Sequence, residues 1–78
     1  MAPSKGIDVV AYVSKFIEDG GYVYDCEFDC MMQNGVRVDI PSLWNRIYLD
    51  ALKRGVYRMG PRMIKLGWRV HKFQRYGK

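Results

Sequence analysis

Acid is almost missing from the second half of this 78-residue chain: after residue 40 the only carboxylate side chain is that of Asp50. Residues 41–78 carry ten basic side chains against that one acid, a net charge of +9. Residues 1–40 carry three basic and seven acidic side chains, a net of −4, so the whole chain stands at +5. Such a split gives a small domain a field, and phosphate is the commonest reason for a concentrated positive face. A solvated basic tail is the plain alternative.

Other shortages narrow the classes further. Cys26 and Cys30 are the only cysteines, too few for a disulfide framework. His71 is the only histidine, so Cys and His together fall short of the four ligands of structural zinc. Residues four apart in a strand share a face, so both thiols are expected in the core as free cysteines. No apolar run approaches the ~20 residues of a membrane span, and Met-Ala-Pro-Ser-Lys-Gly is not followed by a signal-type apolar core. The expected place is therefore the cytoplasm, or the host cytoplasm for a viral chain, with no membrane partner. No Gly-rich phosphate loop is present, and Gly20-Gly21 and Gly60-Pro61 read as punctuation. Neither cysteine has a nucleophile motif, and the acids beside them disfavour a thiolate. Asp25, Glu27 and Asp29 could line one strand face and bind Mg²⁺, but metal sites draw ligands from several elements, and a solvated face is the simpler reading. The expectation is a protein that is not an enzyme, with no cofactor and no metal.

What is present suffices for one modest core: apolar residues make up 49% of the chain and aromatics 14%. Burial is marginal at this length, so a partner would add stability and a homodimer is left open. Residues 1–6 read as a loose leader. Val9, Val10, Val13, Phe16 and Ile17 recur at helical spacing, predicting a helix over 8–19 with Asp8 at its cap and Gly20-Gly21 at its end. Tyr22, Tyr24, Cys26, Phe28 and Cys30 then alternate with Val23 and three acids, a period of two. Asn34-Gly35 is a strong hairpin turn, and Val36, Val38 and Ile40 alternate after it. The simplest reading is a β-hairpin over 22–40, with strands at 22–31 and 36–40; a helix over 25–32 is the alternative.

Pro41 suits the first turn of a helix over 41–54, whose stripe is Leu43, Trp44, Ile47, Tyr48, Ala51 and Leu52 and which Gly55 closes. A short helix is expected over 61–66, started by Pro61 and ended by Gly67. A start at Val56 would put Pro61 inside, costing ~3 kcal/mol unless the helix kinks. Residues 68–76 read as an extended strand rich in basic and aromatic residues, with His71 on its surface.

The functional candidates lie here. Arg58, Arg62, Lys65 and Arg69 follow one another at spacings of four, three and four, which lines one face of a continuous helix. Lys72, Arg75 and Lys78 extend the series. Trp68, Phe73 and Tyr76 lie among them and suit contacts to sugar or base faces, although Trp68 suits the core better. Arginine binds phosphate in a bidentate way or reads guanine edges. Helix, turn, short basic helix and basic strand is the order of a winged helix-turn-helix. The expected fold is thus a small α+β winged helix-turn-helix-like domain with an additional β-hairpin after its first helix.

The run Arg62-Met-Ile-Lys-Leu-Gly-Trp-Arg-Val-His-Lys-Phe-Gln-Arg-Tyr-Gly-Lys78 resembles the end of winged-helix modules in phage and plasmid replication proteins of the virulence-associated protein E-like group. Ile-Pro-Ser-Leu-Trp, residues 40–44, is similar to their strand-to-helix entry, so the resemblance spans about 40 residues. It implies a DNA-binding role for Arg62, Lys65, Arg69 and the wing residues. No helicase or primase motif is present, so no such activity follows. The leading expectation is a non-catalytic DNA-binding protein of phage or mobile-element type. The alternative is a small interaction protein that binds and inhibits a host protein or ribonucleoprotein complex, such as a bacterial defence system.

Overall fold

The computed structural model describes residues 8–77; the expected leader at 1–6, and Lys78, lie outside them. The elements are α1 (Val9–Asp19), β1 (Tyr22–Asp25), β2 (Cys30–Gln33), β3 (Val36–Val38), α2 (Ile40–Lys53) and α3 (Pro61–Tyr76). The strands form an antiparallel sheet in the order β1-β2-β3. This is a small compact α+β domain of one helix, a three-stranded sheet and two further helices, and not the order of a winged helix. No helix among the described residues is long and apolar enough to cross a membrane.

Local chemistry explains most boundaries. The Asp8 carboxylate accepts from Ala11 N at 3.1 Å and caps α1. The Asp39 carboxylate does the same for α2 through Ser42 N at 2.9 Å, with Pro41 in the first turn. Asn34 and Gly35 both take positive φ, 53° and 80°, and join Gln33 to its partner Val36 in a two-residue hairpin turn. Gly55 (φ 80°) ends α2: its N–H reaches Leu52 O at 3.0 Å, and Val56 N–H reaches Ala51 O at 2.8 Å, a Schellman closure.

Two expectations are corrected. The long strand at 22–31 is two strands with a turn between them. Asp25 draws the chain round by accepting from Glu27 N (3.0 Å) and Phe28 N (3.3 Å), and Asp29 sits in the left-handed region at φ 51°. The sequence alternation runs straight through that turn, so it resembles one strand. Cys26 is consequently exposed, and only Cys30 is buried.

The second correction is larger. Residues 68–76 are not a wing: they continue α3, which runs unbroken from Pro61 to Tyr76 and closes on left-handed Gly77 (φ 70°). The buried residues of α3 are Ile64, Gly67, Trp68 and His71, a helical spacing of three, one and three. Gly67 is therefore a packing position and not a terminator, and His71 is a core residue and not a surface one. The core joins Val13 and Ile17 of α1, Tyr22, Met31 and Val38 of the sheet, Leu43 and Ile47 of α2, and Ile64 and Trp68 of α3. Met59, buried in the α2–α3 connection, pins that loop inward.

A Cβ on Gly67 would lie 3.1 Å from the backbone oxygen of Val9 and 3.2 Å from methyl groups of Val9 and Val13. Alanine in a helix interior normally gains about 1 kcal/mol over glycine. Overpacking costs about 1–3 kcal/mol, and here one neighbour is backbone. Gly67→Ala is therefore expected to lose about 1 kcal/mol net, lowering the thermal midpoint by roughly 4–8 °C in a domain of this size. Circular dichroism melts check this; an unchanged or raised midpoint would show that α1 and α3 can part at no cost.

Candidate nucleic-acid interface

Because α3 is one helix, its basic residues separate into two groups by the neighbours they meet. Arg62, Leu66, Arg69 and Phe73 follow at spacings of four, three and four along its outward side, and all are exposed. Lys65 stands beside them with its ammonium 5.2 Å from the centre of the Trp44 ring, over the face of the indole. Arg58 lies exposed in the connection just before α3. None of Arg58, Arg62, Lys65 and Arg69 has an acidic partner among the described residues.

Lys72 and Arg75 are on the side of α3 that turns toward the acidic half. Lys72 Nζ is 3.4 Å from the Asp29 carboxylate and 5.3 Å from the centre of the Tyr24 ring. Arg75 is paired with Glu18 of α1. The Tyr24 hydroxyl donates to Asp29, and this bond first, with Lys72 after it, holds the Asp29 carboxyl below its ordinary value. The Lys72 ammonium is raised, by the Tyr24 hydroxyl first and Asp29 after it. These two cations hold α3 to the β1–β2 turn and to α1. Lys78 lies outside the described residues.

The remaining cations of the basic half divide in the same way. Arg46 donates to the Tyr22 hydroxyl (2.9 Å) and to Gln33 Oε1 (3.1 Å), tying α2 to the sheet. Arg54 pairs with Asp50 at 3.0 Å, and Asp50 also accepts from the Tyr12 hydroxyl at 2.6 Å. Burial first, and the bond to Asp50 after it, push Tyr12 up to about 12. The single acid of the basic half is thus engaged with α1 and with its own helix. A cavity of about 270 Å³ opens beside this group, between α1 and α2.

Sequence reasoning missed a groove of about 300 Å³ between α2 and the start of α3. Pro41, Trp44, Asn45 and Tyr48 form one side, and Pro61, Arg62 and Lys65 the other. Trp44 and Tyr48 belong to the apolar stripe of α2, yet only Leu43, Ile47 and Ala51 of that helix's central part are buried; the two aromatics are half-buried at the edge. An aromatic pair four residues apart, one position off the core stripe, was the available signal. The Trp44 indole N–H is buried without a hydrogen-bond partner among the described residues. Lys53, at the end of α2, adds another exposed cation without an acidic partner among the described residues.

Asp25, Glu27 and Asp29 sit in and around the β1–β2 turn instead of along one strand face. Among the described residues no group of three or more His, Cys, Asp or Glu is placed to hold a metal ion. His71 Nδ1 is 2.7 Å from Ser14 Oγ, but the ring is 1% exposed, between Trp68 and Tyr76, and Nε2 has no partner among the described residues. No family model, curated protein or solved structure matches this chain.

Burial first, and Arg75 after it, lower the pKa of His71, with Glu18 opposing them. The folded protein therefore holds a neutral ring where the unfolded chain binds a proton. Stability from this group is full above the ordinary value of 6.5 and is lost as the pH falls below it. Denaturant midpoints are expected to fall between pH 7 and pH 5, before the bulk of the carboxylates titrate. His71→Phe should flatten that limb; an equally steep limb in the variant would assign it to other groups.

Proposed function

We propose that this protein binds nucleic acid, DNA in the first instance, without catalysis, through the outward side of α3 and the loop before it. The observation that carries this reading is the sorting of cations: the acidic half neutralises Lys72 and Arg75, whereas Arg58, Arg62, Lys65 and Arg69 have no acidic partner among the described residues. A row of exposed cations without carboxylates nearby attracts phosphate at every sequence. The interface is a helix face and a loop, not a helix and wing. Lys72 and Arg75, which extend the basic series in the sequence, are instead engaged by Asp29 and Glu18.

A second reading has its own observation. Leu66 is 57% exposed and Phe73 66% exposed, between and beside the arginines, with Met63 and Val70 also open. Apolar side chains grouped on one surface suit a protein partner, here one with acidic groups around an apolar centre. A host protein or ribonucleoprotein complex with that chemistry would occupy the same side of α3.

Fluorescence anisotropy with single- and double-stranded DNA, titrated from ~50 to ~300 mM salt, separates the two. Four phosphate contacts predict a slope of log affinity against log salt between about −2.8 for single strands and −3.6 for duplex. Arg62→Ala and Arg69→Ala should each reduce that slope by about one. Lys72→Ala and Arg75→Ala should leave it unchanged. No binding at ~50 mM salt, or slopes indifferent to Arg62 and Arg69, would overturn the nucleic-acid reading in favour of the protein partner.

A further inference from the structure

We infer that the preferred ligand is a single-stranded segment of nucleic acid, and that the groove between α2 and α3 takes one of its bases. This rests on the nucleic-acid reading above and adds the state of the ligand and a second contact. The groove has aromatic and proline walls, from Trp44, Tyr48, Pro41 and Pro61, and two cations on one side, Arg62 and Lys65. Its volume of about 300 Å³ is at the lower end of ligand sites, room for one flat ring system and little more. A flat, apolar-faced group attached to an anion is the chemistry that fits, and a nucleotide is that group. No carboxylate lines the groove, so nothing there repels a phosphate.

A duplex cannot use such a site. Its bases are stacked on one another and present only their edges, whereas an unpaired base can be splayed out and laid against a side chain. The surroundings point the same way. Tyr57, beside Arg58, is 76% exposed, and Phe73, one turn beyond Arg69, is nearly as open. Aromatic rings interleaved with cations are the pattern on which single strands bind, bases on the rings and phosphates on the cations. Duplex binding would use the cations alone and leave the groove and both rings without a contact.

The test compares three oligonucleotides of equal length at fixed salt: a thymidine single strand, the same strand built of abasic spacers, and a duplex. The base-bearing strand should bind about tenfold more tightly than the abasic strand, the gain from stacking one base. It should also bind more tightly than the duplex. Trp44→Leu, with its fold checked by circular dichroism, should narrow that gap while leaving the abasic strand unchanged; a gap as wide as in the wild-type protein would overturn the groove assignment. Equal binding of base-bearing and abasic strands by the wild-type protein would overturn the groove assignment and leave the phosphate-binding face standing. Tighter binding of the duplex would likewise overturn it. No binding of any of the three would overturn the nucleic-acid reading itself, and this inference with it.

Discussion

The constraint that organises this domain is the approach of α3 to α1 at Gly67. Without a side chain there, the helix backbone lies against the Val9 carbonyl and the Val13 methyl, a separation that a Cβ would already crowd. That approach brings Ile64, Trp68 and His71 into the core beside Val13 and Ile17. It also decides which side of α3 faces solvent. Arg62, Leu66, Arg69 and Phe73 are outward because Ile64, Gly67, Trp68 and His71 are inward. The packing of two helices and the composition of the candidate interface are one geometric fact.

This explains why the sequence was readable in some places and misleading in others. Asp8, Asp39, Asn34-Gly35 and Gly55 act through bonds within a few residues of themselves, so their roles follow from local chemistry alone. Gly67 acts through a residue 58 positions away in sequence, Val9, and local rules give it only the role of a breaker. Once a helix was ended there, residues 68–76 could be read only as a strand, and their mixture of basic and aromatic side chains did not forbid it. Asp25 misled for a different reason. Its turn preserves the alternation of apolar and acidic residues, so a period of two persists where the strand does not. The cation series Arg58, Arg62, Lys65, Arg69 was visible as spacing. The pairing of Lys72 and Arg75 was not, because their partners Asp29 and Glu18 lie in the other half of the chain. The residues that resemble a helix-and-wing ending form a single helix instead.

The charge split then serves two purposes that need not have coincided. Exposed ion pairs such as Lys72–Asp29 contribute little to stability individually, about 0–1 kcal/mol. Their larger effect is on what remains. Each pair withdraws one cation from the surface and cancels one acid that would otherwise repel an anionic ligand. The acidic first half therefore sharpens the field of the second half by engaging its far end, leaving the uncompensated charge near the loop and the first three turns of α3. A domain with the same +5 net charge but randomly placed acids would present a weaker and less located field.

Location matters because the groove opens at the same end. Pro61 and Arg62 begin α3, and Trp44 and Tyr48 face them from α2. The placement of Lys65 over Trp44 couples the two features: a cation held over the ring's face also lines the groove. Phosphate attraction alone is indifferent to whether strands are paired, since both forms carry the same groups. Discrimination has to come from a site that one form can enter and the other cannot. On the proposed reading the α2–α3 groove is that site, and it lies beside the cations that no acid of the described chain has claimed.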